Sequence, residues 1–373
     1  MNNSYLLTDL NIFKENIREI LHEIAERAPR SSLIPVLKDD AYGLGLEVIG
    51  SAAAEFDEIK FIACAHVSEG LRLRKAGVTK DIMILGNPVK HMIREALLAD
   101  LTLTISCLET LEEIIEAAGE LHTGKIKVQI EIDSGLHRTG FLPGSELSEF
   151  IREFKPFLDL FELCGIYSHF SSADSKEICD EEYCTFLAGI TELNRAGIQS
   201  SLMHISSSAS FENFPEYSMD AVRIGRRLYM DAPEVTDGRI QELASWRAYI
   251  TGIYHRKKGD SIGYGKKMLL DSDKTLAVIS VGYGDGLNEA LVEKHAPVLA
   301  GGKRRPMLAC FMDQTIIDIS GTDCRTGDEV TLFGYDEKGN YLSSQELALM
   351  IGENEGCGLT GAISSRVERK YIG

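Results

Sequence analysis

The feature that most constrains this chain is a change of rhythm near residue 236. Before it, eight short apolar runs alternate with segments of helical period. After it, strand-like runs follow one another through turns rich in Gly and Asp. The eight runs cover residues 33–37, 60–65, 81–85, 101–106, 125–133, 162–169, 201–206 and 221–229. Several are rich in Val and Ile, as strands covered on both faces require. Between them, residues 11–28 place Ile12, Ile17, Ile20, Leu21 and Ile24 on one helical face. Residues 108–121 and 177–196 read as helices by the same period. This alternation predicts an α/β fold, an N-terminal (β/α)8 TIM-like barrel over residues 1–235. Residues 246–254, 275–281, 306–308, 315–319 and 329–333 read as strands, and only 344–352 as a strong helix. A mostly β C-terminal domain is therefore expected over 236–373.

Charge and cysteine usage narrow the function classes. With 39 Lys and Arg against 57 Asp and Glu, the formal charge is −18, which repels a phosphate backbone. Nucleic acid is not expected as a partner. No apolar run is long enough for a transmembrane helix, so no membrane association is expected. The eight cysteines form no CxxC pair, and Met1-Asn2-Asn3-Ser4 lacks the basic start of a signal peptide. Free thiols in the cytoplasm are the expectation, and no metal ligand set is expected.

In a barrel of this kind, chemistry gathers where strands end and loops begin. The first run ends in Lys38, followed by Asp39-Asp40-Ala41-Tyr42-Gly43-Leu44-Gly45. The fifth ends in Glu131-Ile132-Asp133-Ser134-Gly135-Leu136-His137-Arg138. The sixth ends in Ser168-His169, the seventh in His204-Ile205-Ser206-Ser207-Ser208, and the eighth carries Arg223-Ile224-Gly225-Arg226. One lysine is ordinarily a solvated surface charge, and a lone histidine on a strand is ordinarily structural. Five polar strand ends on one face are harder to assign to chance.

These motifs resemble the alanine racemase family. KDDAYGLG (38–45) is similar to that family's cofactor-lysine motif, and EIDSGLHRTGF (131–141) to its D-[ST]-G-x-x-R-x-G-F segment. SHFSSAD (168–174), HISSSAS (204–210), VRIGRRLY (222–229), GYG (263–265), GYGDG (282–286) and FMDQ (311–314) follow in the family's order. The resemblance spans nearly the whole chain. It implies pyridoxal 5'-phosphate (PLP) as cofactor, a small amino acid, alanine above all, as substrate, and a head-to-tail homodimer with shared active sites.

The resemblance also implies roles for individual residues. Lys38 would form the Schiff base and serve as the base on one face of Cα. Tyr264, reaching from the partner subunit, would serve the other face. Tyr42, Ser207, Ser208, Gly225 and Arg226 would hold the cofactor phosphate. Arg223 would face the pyridine nitrogen and leave it unprotonated, because a guanidinium does not give up its proton. His169 would lie against the ring and bond Tyr264, and His204 would orient Arg223. Arg138, Met312 and Asp313 would hold the substrate carboxylate, and Tyr283 would line the entrance.

Three departures from the family pattern stand out. Glu131 occupies a position where a carbamylated lysine is common, and is expected to replace its negative charge and orient Arg138. Ser365 stands where a tyrosine usually precedes Arg366-Val367, which opens room for serine as a substrate. Phe311 stands where a small residue is usual. Two other readings remain: a PLP-dependent decarboxylase of the same architecture, and a non-catalytic PLP-binding protein. The second is disfavoured by the β domain and by Tyr264 and Asp313.

Overall fold

The computed structural model describes residues 3–121, 124–230, 238–266, 268–353 and 356–373. The expected domain boundary at 235/236 lies outside the described residues. The chain divides into two compact units. One comprises Met1–Glu15, Tyr42–Gly45 and Tyr229–Gly373, and the other Asn16–Ala41 and Leu46–Leu228.

Strand β1 (Ser4–Asp9) and helix α1 (Leu10–Arg27) open the chain. The Asn16–Leu228 unit then carries eight strands, each overlapping one of the apolar runs read from the sequence. They are β2 (Ser32–Pro35), β3 (Phe61–Cys64), β4 (Asp81–Ile84), β5 (Leu103–Ile105), β6 (Ile126–Glu131), β7 (Phe161–Tyr167), β8 (Met203–His204) and β9 (Ala221–Ile224). All pairings among them are parallel: β2 with β9, β3 with β4, and β5 through β6 and β7 to β8. Single parallel bridges, Val36 to Ala63, Met83 to Thr102 and Ser207 to Arg223, connect β2 to β3, β4 to β5 and β8 to β9. Helices such as Leu108–Leu121 and Lys176–Arg195 link successive strands. Parallel neighbours need such crossovers, and the crossovers bury both faces of the strands. Ile34, Val36, Ala63, Met83 and Ala221 form part of the resulting core.

The Tyr229–Gly373 portion is built from β10 (Ala244–Arg256), β11 (Ser261–Ile262), β12 (Met268–Leu269), β13 (Lys274–Ile279), β14 (Pro297–Ala300), β15 (Lys303–Cys310), β16 (Thr315–Asp318), β17 (Glu329–Tyr335), β18 (Tyr341–Leu342) and β19 (Glu368–Ile372). Six of these close on themselves in the order β10-β13-β16-β15-β14-β17, with β17 returning to β10. Closure depends on β10, whose first part pairs β17 and whose second part pairs β13. The register shifts between Ile250 and Gly252, where a bulge bends the strand. Trp246 packs edge-on against Phe333 at 6.1 Å in its interior.

Here the structure adds an element that the apolar pattern did not show. β1 pairs antiparallel with β10 and parallel with β19. The first strand of the chain therefore belongs to the mostly β unit. Helix Ser344–Met350 agrees with the reading of 344–352, capped by Ser343, whose hydroxyl accepts from Gln345 and Glu346 N–H.

Candidate active site

The parallel register explains why distant residues meet. Strands β6, β7, β8, β9 and β2 are successive neighbours, so their C-terminal ends lie side by side. Glu131 is registered against Tyr167, and Tyr167 against His204. A buried row of polar side chains therefore crosses three strands just below the ends that carry Arg138, His169 and Ser207-Ser208.

Arg223 is the hub of this row. It is only 5% exposed. One terminal nitrogen donates to His204 Nδ1 at 2.6 Å and to the His204 carbonyl at 3.2 Å. The other donates to the Ser168 carbonyl at 2.8 Å, His169 Nδ1 at 3.0 Å and the Ile205 carbonyl at 3.1 Å. A guanidinium has no acceptor, so both imidazoles must receive at Nδ1. Each then carries its proton on Nε2. Burial, followed by the neighbouring charges of Arg223, Arg138 and Lys38, pushes the His169 pKa down to about 3. Burial and Arg223 push that of His204 well below the usual histidine range. Both rings are neutral at pH 7. Burial also lowers the Arg223 pKa to about 10, which leaves it charged. The His204 ring stacks on Tyr167, with centroids 5.3 Å apart, and the guanidinium lies 5.4 Å from the Tyr167 ring centre. Sequence reasoning passed over Tyr167, whose only signal was its place in the alternation Gly165, Tyr167, His169.

Lys38 lies three residues past the end of β2 and is exposed. Four residues after it have left-handed backbones: Asp39, Asp40, Ala41 and Tyr42, with φ of 56°, 55°, 55° and 57°. Tyr42 packs against Tyr229 at 5.0 Å. Ser208 is buried, and its hydroxyl accepts from the Gly225 N–H at 3.3 Å. Arg226 is also buried, and Ser207 precedes the helix Ser208–Asn213 as its N-cap.

Glu131 is 4% exposed, and burial raises its pKa. The nearby Thr139 and Tyr167 hydroxyls and the charges of Arg138 and Arg223 oppose that rise. Its Oε2 has no hydrogen-bond partner among the described residues. Among the described residues no ion pair joins Glu131 and Arg138, which is exposed, although the Arg138 charge still acts on the Glu131 carboxyl. The Asp133 carboxylate instead holds the intervening loop, accepting from Gly135 and His137 N–H at 3.0 Å.

The remaining expected residues gather in the mostly β unit. Tyr283 N–H donates to the Phe311 carbonyl at 3.0 Å and Gly284 N–H to the Met312 carbonyl at 2.8 Å. These bonds zip residues 282–284 to 311–313 and bring Tyr283, Met312 and Asp313 together. Tyr264 packs edge-on against Phe311 at 5.3 Å. Ser364 N–H donates to the Asp285 carbonyl at 3.0 Å, which brings the exposed Ser365 to the same cluster. Tyr264 is 82% exposed, and Met312 and Tyr283 are also exposed.

A parallel strand-and-helix unit with a lysine at a strand end, and a closed β unit in the same chain, define a two-domain enzyme of the amino-acid racemase class. The model of the alanine racemase N-terminal domain matches residues 8–233, and that of the alanine racemase C-terminal domain matches 243–371. The chain belongs to the alanine racemase family. It is 32% identical to the alanine racemase of Methanococcus maripaludis, over 98% of this chain and 97% of that one. It is 31% identical to alanine racemase 2 of Caldanaerobacter subterraneus subsp. tengcongensis, over 98% of this chain and 93% of that one. Among solved structures, alanine racemase of Clostridium difficile 630 superposes with a TM-score of 0.89 at 29% identity, covering 100% of this chain and 96% of that one. Alanine racemase of Bacillus anthracis with bound L-Ala-P superposes at 0.90 and 28% identity, with the same coverage. The chain is an isomerase, and these relatives favour a racemase over a decarboxylase.

Proposed function

We propose that this protein racemises alanine, with serine as a second substrate, using PLP held on Lys38. The observation that carries the reading is the pair formed by Lys38 and Arg223 on adjacent strands. An exposed lysine follows β2 by three residues, and β9 beside it carries a buried guanidinium whose Nε–H has no partner among the described residues. That donor set fits a pyridine nitrogen kept unprotonated, and the Ser208 hydroxyl with the Gly225 N–H fits an anionic phosphate. The ring of parallel pairings and bridges supports the finer reading of the first domain as a (β/α)8 barrel.

When bound, PLP supplies an aldehyde for the lysine amine and a conjugated ring that accepts electron density from Cα. The residues of this chain do the rest. Lys38 Nζ takes or gives the Cα proton on one face. The Tyr264 hydroxyl does so on the other, reaching from a second copy of the chain. Neutral His169 offers Nε2–H, because Arg223 occupies its Nδ1. Arg223, held by five acceptors, cannot turn away from the cofactor. Arg138, the Met312 backbone and Asp313 take the substrate carboxylate, and Tyr42, Ser207 and Arg226 complete the phosphate cradle. Exposed Tyr264, Met312 and Tyr283 fit a homodimer in which the β unit of one copy completes the site of the other. Among the described residues no helix is long and apolar enough to cross a membrane, which accords with a cytoplasmic enzyme.

The test is incubation with PLP and single L-amino acids in deuterated water, followed by chiral chromatography and measurement of Cα deuterium. D-alanine carrying deuterium is expected. Lys38→Ala should abolish it. No exchange with alanine or serine would refute the reading, and release of carbon dioxide would favour a decarboxylase.

A further inference from the structure

Glu69 lies outside the strand-end census, 30 residues after Asp39 and 7% exposed. It is the third residue of the helix Val67–Lys75, and its Oε2 accepts from the N-cap His66 N–H at 3.0 Å and from Ala65 N–H at 2.9 Å. That much is half of an ordinary capping box. Its other oxygen does something a cap does not require. Oε1 accepts from Asp39 N–H at 2.7 Å, in the loop that follows a different strand.

We infer that Glu69 is a positioning residue that fixes the direction of Lys38. On the other side of Lys38, the Leu37 N–H donates to the Ala63 carbonyl at 2.8 Å. Lys38 is thus bracketed: the amide before it is tied to β3, and the amide after it is tied to the helix that β3 leads into. The left-handed turn begins at the residue Glu69 holds. Asp40 extends the hold, accepting from Leu46 N–H at 3.3 Å and pairing with Arg72 at 2.5 Å. Arg72 also pairs with Glu47 at 2.7 Å. A carboxylate is the group suited to this post, because three backbone donors converge on it and only an acceptor with two oxygens serves them all. Without it the turn is free to relax toward right-handed backbone, and the Cα–Cβ bond of Lys38 swings with it. The inference rests on the reading of Lys38 as the cofactor lysine.

Two variants of the full chain test it. Glu69→Gln keeps the length but turns one oxygen into a donor facing backbone donors. Glu69→Asp keeps the charge and the helix cap but is one methylene short of Asp39. Cofactor-free protein is titrated with PLP, following the visible absorbance of the Lys38–cofactor linkage and its trapping by borohydride, alongside racemisation kinetics. Both variants should bind PLP about tenfold more weakly and lose about tenfold in kcat, with KM for the amino acid within about twofold. Variants that fold and form the linkage with unchanged affinity and rate would overturn the proposal and leave Glu69 a helix cap. An unsubstituted protein that forms no linkage at all would instead overturn the reading of Lys38. Amide exchange in the unsubstituted chain gives an independent answer. The Asp39 amide should be protected, and free exchange there would overturn the proposal even if neither variant folds.

Discussion

Acid should weaken this protein before its ordinary carboxylates titrate, and the cause lies in the two histidines that face Arg223. His169 has its pKa pushed from 6.5 to about 3. In the unfolded chain it returns to its ordinary value. Between these values the unfolded state binds a proton that the folded state refuses, so stability falls as pH falls. At pH 5 the unfolded value is 1.5 units above the pH, and each unit is worth about 1.4 kcal/mol, so the loss from pH 7 to 5 is about 2 kcal/mol at most. Solvent reaching the half-buried ring trims this figure. His204 is displaced in the same direction and adds to the loss. For a domain of this size the His169 share corresponds to about 4–8 °C in Tm. Glu131 has the opposite sign: its raised carboxyl pKa makes protonation favour the folded state. The assay is therefore a comparison. Cofactor-free protein and His169→Asn are melted at fixed concentration at pH 7 and pH 5. The asparagine still offers Arg223 an acceptor, and the variant should lose the His169 share of the acid slope. An unsubstituted chain with equal stability at both pH values, or a variant with an unchanged slope, would refute the reasoning.

Glu131→Gln should lower kcat while raising stability at pH 8 by about 1 kcal/mol, because it removes a buried charge that carries a desolvation cost. The gain should be smaller at pH 5 than at pH 8, because the raised pKa lets protonation relieve the buried charge as pH falls, and urea melts at the two pH values check this. Tyr264→Phe should leave Tm within about 1 °C, since the ring is exposed, yet lower kcat by about a hundredfold or more by removing the hydroxyl proposed to transfer a proton on one face of Cα. Gly45→Ala should destabilise by more than about 2 kcal/mol in a thermal melt. Gly45 has φ of +100°, and a Cβ there would collide with the Tyr371 hydroxyl that donates to the Leu44 carbonyl at 3.0 Å.

The strands of the first domain were legible because a parallel strand buried on both faces must be apolar along its length, whatever its neighbours are. β1 was not. Ser4–Asp9 is short and half polar, and its partners lie about 240 and 360 residues further on. Lys38, Arg223 and His169 were legible as strand-end residues, as was His204, which accepts from Arg223 at 2.6 Å. Glu69 and Tyr167 were not, because their roles depend on which loops and strands become adjacent. That Glu131 and Arg138 form no ion pair has a related cause. Residue identity fixes the two charges, but the loop held by Asp133 decides where Arg138 points.

The turn after Lys38 shows how a local rule can be overruled. Asp39 and Asp40 tolerate left-handed backbone through their short polar side chains, but Ala41 and Tyr42 have no such excuse. At about 1–2 kcal/mol per residue the turn costs several kcal/mol, so it persists only where its surroundings over-determine it. They do so at both ends. Glu69 holds the Asp39 amide, the Leu37 carbonyl accepts from Ala41 N–H at 3.1 Å, and Asp40 reaches Leu46. At Gly43 the carbonyl accepts from Arg369 at 3.2 Å, and a Cβ would strike the Thr360 carbonyl. A chain that only needed to turn at this point had cheaper routes available. Strain held from two sides fits the role proposed for Lys38, because a flexible lysine samples many directions and a base acting on one face of Cα needs a single one.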